Sequence, residues 1–292
     1  MGVFHYVNRL YSSHPKFAAA AIAGLHRVLP DQHWAIRRMF RDLDLRIPIK
    51  ATLENGMTLE VFQTDCVGEA IKRQGWYEPE VVRLLERLLT SETVFIDAGA
   101  HCGQFTLMAS KIAREVHSFE PAPRTFELLR RNVLRNHLSN VMVNCLALAD
   151  FSGSAVIHEG FSDNIGQSSL KRADDQHVSS FPIACERLDS YVKQNLSPES
   201  PVVLKMDVQG AELRALKGAE DVLLRRPKII IEFSDADLVR FGTSTRELGS
   251  FLWAHGYRLY VIEPDRVRPL ESVPSDRDYY NVLALWKEES VH

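Results

Sequence analysis

At 292 residues, with 45% hydrophobic and 25% charged side chains, the chain reads as globular and is long enough for one large domain or two small ones around a substantial core. No stretch approaches the ~18 uninterrupted apolar residues of a membrane-spanning helix. A formal charge of −3 and a pI near 6.4 supply none of the basic excess with which a nucleic-acid binder displaces counterions.

Cys66, Cys102, Cys145 and Cys185 lie far apart with no C-x-x-C pair, which suggests neither a zinc cluster nor a disulfide framework. The N-terminal apolar run, 17–25, follows mixed residues and breaks at His26 and Arg27, so it lacks the order of a signal peptide. A reducing, cytoplasmic compartment is the expectation.

Residues 1–48 read as short helices, the last of which places Ala35, Met39 and Leu43 on one apolar stripe with Arg37, Arg38 and Arg41 facing elsewhere. Such a helix packs on a domain and leaves its cationic side to water. Asn55-Gly56 marks a tight turn between strands at 47–53 and 57–62. Residues 1–78 are therefore expected to form a helical and hairpin cover over a domain spanning 79–292.

From Pro79 onward helices and strands alternate. Helices are predicted at 79–90, 103–113 and 123–136, with strands at 93–97, 115–119 and 141–147. Strands spaced by helices of this length imply right-handed βαβ units and a parallel sheet, hence an α/β fold with helices on both faces. Residues 151–186 break the rhythm and read as an inserted strand, a long loop and a second strand, with Asn164, Gln167, Ser168 and Ser169 making the loop polar. The alternation resumes with a strand at 201–206, a helix at 211–224, a strand at 228–233, a helix at 244–255 and a strand at 257–262. A final apolar strand, 280–286, arrives without a crossover helix and is expected to run antiparallel.

In an open α/β sheet, ligands sit beyond the carboxyl ends of the strands. The first strand ends in Asp97-Ala-Gly99-Ala100-His-Cys-Gly103, whose glycines stand four apart rather than in the G-x-G-x-x-G spacing of a dinucleotide fingerprint. A nicotinamide-dependent oxidoreductase is the alternative that this spacing disfavours. The second strand ends in Glu120, 21 positions past Gly99, the distance at which a carboxylate can accept both hydroxyls of a ribose. The third strand ends in residues 144–150, whose small and apolar side chains suit a flat wall for an adenine ring. In the fourth, Lys205 and Asp207 interrupt a run that should be apolar on both faces, and buried charge needs a partner or a purpose. Asp207 is the first candidate for a general base and Glu232, ending 229–232, the second. No His/Cys cluster points to a metal, and His101 is a chemically capable base of a type more often simply hydrogen-bonded.

The segments 96–103, Phe119-Glu120-Pro121, 187–190 and 205–218 together resemble the FkbM family of S-adenosylmethionine-dependent methyltransferases, over roughly residues 50–286. The entry segment 75–79 is similar to a G-x-Y-E element of that family. The resemblance implies a class I methyltransferase (Rossmann-like) sheet and methylation of hydroxyl oxygens on sugars or polyketide-like natural products, with N- or carboxyl-methylation as the alternative on the same fold. It places Asp97, Gly99, Ala100 and Gly103 at the methionine part of the cofactor, Glu120 at its ribose, and Leu146 and Ala147 beside its adenine. Asp207 approaches the methionine end and Glu78 closes the pocket. Gln209 stands where the family usually has Glu, and His101-Cys102 where it commonly has Asn and an apolar residue. The implied partner is a small hydroxylated acceptor such as a saccharide. A homo-oligomer is compatible with the chain.

Overall fold

The computed structural model describes residues 48–62, 65–160, 177–274 and 279–289. The helix expected around 34–46 and the polar loop residues 164 and 167–169 lie outside them.

The chain enters through an antiparallel hairpin of β1 (Pro48–Thr52) and β2 (Thr58–Phe62). Its turn works as the sequence implies: Gly56 takes φ 82° and the Met57 N–H donates to Asn55 Oδ1. A helix not read from the sequence follows, α1 (Cys66–Gln74), capped by Asp65 at one end and by Gly75 with φ 80° at the other. Next comes α2 (Pro79–Leu88), with Pro in its first turn and Val81, Val82, Leu84 and Leu85 buried.

The main sheet has eight strands. Four parallel strands form its centre: β3 (Val94–Ala98), β4 (Glu115–Phe119), β5 (Val141–Asn144) and, on the other side of β3, β9 (Val202–Met206). β10 (Lys228–Ser234) continues in parallel beyond β9. β13 (Tyr279–Trp286) then lies antiparallel between β10 and β11 (Tyr257–Ile262), as its missing crossover helix implies, and the short β12 (Val267–Pro269) extends that edge. Strand order reverses between β3 and β9, which opens a crevice at their carboxyl ends.

Alternate residues of the buried strands feed two cores. Phe95, Val203 and Ile230 pack with α1 and α2, with α3 (Gln104–Ala109) and with α4 (Pro123–Arg135). Val94, Ile96, Leu204 and Ile231 pack with α5 (Leu188–Asn195), α6 (Glu212–Lys217), α7 (Glu220–Leu223) and α9 (Thr245–Ala254). Helices therefore cover both faces. Leu53, Leu59 and Val61 of the hairpin belong to the first of these cores. Ser244 caps α9 by accepting from the Glu247 N–H.

Three expected elements come apart. The strand at 141–147 is two: β5 ends at Asn144, paired with Phe119, and after Cys145 the chain enters β6 (Leu146–Leu148), where Leu146 pairs with Ala184 in a separate three-stranded sheet. That sheet is completed by β7 (Gly153–Gly160) and β8 (His177–Glu186). The helix at 211–224 breaks at Gly218-Ala219 into α6 and α7, and the Ala149 carbonyl lies where a Gly218 Cβ would stand. The helix at 103–113 is regular only over α3. The loop at 234–243 also contains a helix, α8 (Asp235–Arg240).

Candidate active site

A cavity of about 520 Å³ opens at the carboxyl ends of β3, β4, β9 and β10, with β6, α1 and α8 at its margins. Its floor is the bend after β3. The N–H groups of Gly99 and Ala100 both donate to the Phe119 carbonyl, which ties that bend to the end of β4. Gly99 adopts φ 81°, and a Cβ there would overlap the Asp207 carbonyl oxygen. This glycine is thus required by the approach of two strand ends. Gly103 serves packing in the same way: its Cβ would strike Leu129 of α4, and it stands outside the cavity wall.

Asp97 lies beneath the bend, fully buried and also outside the cavity wall. Its Oδ2 accepts from Thr106 Oγ1 at 2.7 Å, and Thr106 in turn lies 2.7 Å from Ser118 Oγ. Burial pushes its pKa upward, against the pull of Lys205 and the Thr106 hydroxyl. The predicted residues that line the cavity are Gly99, Ala100, Glu120, Leu146, Ala147, Asp207 and Glu232.

At one end, Glu120 holds its carboxylate in a frame of backbone donors. Oε2 accepts from the His101 N–H at 3.0 Å and Oε1 from the Ala122 N–H at 2.9 Å. Leu146, Ala147 and Ile157 supply an apolar wall to the same cavity.

At the other end, charge is concentrated and scarcely solvated. The Lys205 side chain is 2% exposed, its Nζ 3.5 Å from Asp207 Oδ2 and 4.5 Å from the centre of the Phe105 ring. Burial disfavours its charge, yet Asp207, Asp97, Glu78 and Glu232 outweigh that and lift its pKa. Asp207, 22% exposed, also accepts from Gln209 Nε2 at 2.8 Å. Glu232 lines the cavity with a buried Oε2 that has no hydrogen-bond partner among the described residues. Burial, followed by the Asp207, Glu212 and Glu78 carboxylates, raises its pKa well above the carboxylate range.

Glu78 sits behind this cluster. Its Oε1 accepts from Asn281 Nδ2 at 2.8 Å, its Oε2 has no partner, and burial pushes its pKa to about 7 although Lys205 pulls the other way. Glu212 serves the backbone, its Oε1 accepting from the N–H groups of Val208 and Gly210. Among the described residues no group of three His, Cys, Asp or Glu side chains converges as metal ligands.

Sequence reasoning missed Gln104, whose side-chain amide exchanges two 2.9 Å hydrogen bonds with the backbone of Tyr77 and so fixes the entry segment over the cavity. An amide at the first position of a buried helix, α3, was the available signal. Tyr279 and Arg240, at the mouth, carried none.

A parallel sheet with this strand order, an antiparallel strand slotted between β10 and β11 and a cavity at the switch point define a class I methyltransferase fold. A model of the methyltransferase FkbM domain matches residues 97–259, more than half of the chain, and the chain belongs to that family. It is 28% identical over 201 residues to 31-O-demethyl-FK506 methyltransferase FkbM of Streptomyces tacrolimicus, covering 59% of this chain and 75% of that protein. To 2-O-methyltransferase NoeI of Sinorhizobium fredii (strain NBRC 101917 / NGR234) it is 28% identical over 176 residues, covering 54% and 69%. The match to Methyltransferase 1 of Beauveria bassiana (strain ARSEF 2860), 27% identical over 149 residues, covers 44% of this chain and only 59% of that protein. Among solved structures, methyltransferase FkbM from Methylobacillus flagellatus KT aligns with a TM-score of 0.40 and 17% identity, over 66% of this chain and 43% of the other. Among the described residues no helix is long and apolar enough to cross a membrane.

Proposed function

We propose that the chain binds S-adenosylmethionine in this cavity and methylates a hydroxyl oxygen of a small, hydroxyl-rich acceptor, a sugar or a polyketide-like natural product. The observation that carries the reading is the polarity of the cavity: one framed carboxylate beside an apolar wall at one end, and an excess of carboxylates over a single ammonium at the other. The first suits a ribose and its base, the second a ligand bearing positive charge. Names of relatives that specify O-methylation favour oxygen as the acceptor atom. The four cysteines are free, which suits a reducing compartment.

Glu120 would accept the ribose hydroxyls and Leu146 and Ala147 would flank the adenine. Gly99 and Ala100 would meet the methionine part, with Asp97, Gly103 and Glu78 holding that surface from behind. Bound there, the cofactor supplies an electrophilic methyl carbon whose bond to sulfur breaks with its electron pair as the acceptor oxygen attacks. What the chain must add is alignment and exclusion of water, the first worth on the order of 7–11 kcal/mol, against a general base at roughly 10²–10⁴-fold. Asp207 takes the hydroxyl proton, directly or through water, because it is partly exposed and held by Gln209 and Lys205. Glu232, more deeply buried on the same cavity wall, is the second candidate acceptor.

Titration calorimetry with S-adenosylmethionine, S-adenosylhomocysteine and NADH tests the cofactor, and mass spectrometry of products from a panel of hydroxylated acceptors tests the reaction. Binding of the sulfur nucleosides with acceptor mass gains of one methyl group is expected. Preference for NADH would return the oxidoreductase reading, and binding without turnover would leave a nucleoside-binding protein.

A further inference from the structure

One ion pair at the cavity wall belongs to neither group of carboxylates. His101 adopts φ 51° in the bend after β3 and lines the cavity. Its backbone N–H is the donor to Glu120 Oε2, and its ring Nε2 lies 3.4 Å from Asp65 Oδ2. The Asp65 side chain is fully buried and also caps α1, its Oδ1 accepting from the Val67 N–H at 3.3 Å. Its Oδ2 accepts no hydrogen bond among the described residues, so the imidazole is what balances it. Cys66 and Val67, which follow Asp65, form part of the cavity wall.

We propose that His101 is a positioning residue whose ion pair with Asp65 holds the first turn of α1 against the cavity and thereby tightens binding of the S-adenosyl cofactor. The proposal rests on the cofactor reading above. A buried carboxylate left without a cation is costly, so the pair either persists or the turn moves. Burial opposes charge on the ring and is the largest single influence, but Asp65, Cys102 and Glu120 act together in the opposite direction and outweigh it, and the pKa rises to about 10. The clamp is therefore intact at neutral pH and released as pH rises through that value. Because a ligand packed against Cys66 and Val67 binds the clamped form better, linkage requires that binding favour the charged ring.

The test uses the full chain and S-adenosylhomocysteine in calorimetry, with His101→Asn, Asp65→Asn and the double variant. Asn tolerates the left-handed conformation at 101 and caps a helix as well as Asp at 65, so each change removes charge while keeping the backbone. Each single variant is expected to bind about fivefold more weakly, the scale of a partly buried ion pair, and the double variant no more weakly than either. The ratio of parent to His101→Asn affinity should shrink toward one between pH 7 and about pH 10. The ligand's own amine titrates in both proteins, and the ratio cancels it.

Parent-like affinity in the singles, losses that multiply in the double, or a ratio indifferent to pH overturns the proposal. If thermal melting shows His101→Asn unfolded, Asp65→Asn and its pH ratio decide by the same criteria. Absence of binding by the parent itself removes the cofactor reading, and the clamp with it.

Discussion

The two ends of the cavity hold their carboxylates in opposite ways. Glu120 accepts from two backbone N–H groups that carry no net charge and cannot titrate, and the His101 ring faces it. Glu78, Asp97, Asp207 and Glu232 instead share one ammonium, Lys205, and three of them keep a buried oxygen with no hydrogen-bond partner among the described residues, Glu78 Oε2, Asp97 Oδ1 and Glu232 Oε2. An end held by backbone donors changes little with pH while the neighbouring His101 ring stays charged. One built on competing charges stays tunable, and its state changes with what is bound.

The largest effect should come from removing the shared cation. Lys205→Met leaves the carboxylates uncompensated and is expected to cost about 3–5 kcal/mol in urea unfolding. A loss below about 1 kcal/mol would mean that the cluster is already neutralised by protons. Next is Glu78, whose folded pKa of about 7 lies above its usual 4.5. A raised folded pKa contributes stability that is present below pH 4.5 and lost as pH rises through 7. Glu78→Gln, which keeps the acceptor for Asn281, should therefore exceed the parent in stability above pH 7 by up to about 3 kcal/mol and match it near pH 4. A constant difference across that window would place the pKa shift elsewhere.

Asp207→Asn should slow methyl transfer by about 100-fold while changing S-adenosylhomocysteine affinity far less. Equal turnover of variant and parent would dismiss Asp207 as the proton acceptor. The smallest effect belongs to the backbone-framed end: Glu120→Ala is expected to weaken S-adenosylhomocysteine by about 1–3 kcal/mol, with no change in that loss between pH 6 and pH 8. Calorimetry that finds unchanged affinity in a folded variant would remove its ribose role.

The same contrast explains what could be read from the chain. β3, β9 and β10 were legible because strands buried on both faces must be apolar, β4 from its place between two helices, and Glu120 and Asp207 because they stand at strand ends. The glycines of the bend were legible as a motif, but their work was not. Gly99 makes room for the Asp207 carbonyl and Gly103 for Leu129, contacts over a hundred and over twenty residues away that no local pattern encodes.

The break at Cys145 was hidden for a similar reason, since Asn144 and Leu146 are both plausible strand residues and only their partners, Phe119 and Ala184, differ. α8 had a usable signal. Ser234 donates to Asp237 at 2.6 Å, the serine and acid three residues apart that mark a helix start, but a long apolar strand directly before it masked the change. Lys205 was flagged as an anomaly, while the number of carboxylates around it emerges only when β3, β9, β10 and the start of α2 are assembled.

The most direct measurement is a crystal structure of the protein with S-adenosylhomocysteine. The expected result is the ribose hydroxyls on Glu120 and the sulfur on the side of Asp207. A nucleoside lodged outside this cavity, or one lying in it with its ribose among Lys205, Asp207 and Glu232, would contradict the account.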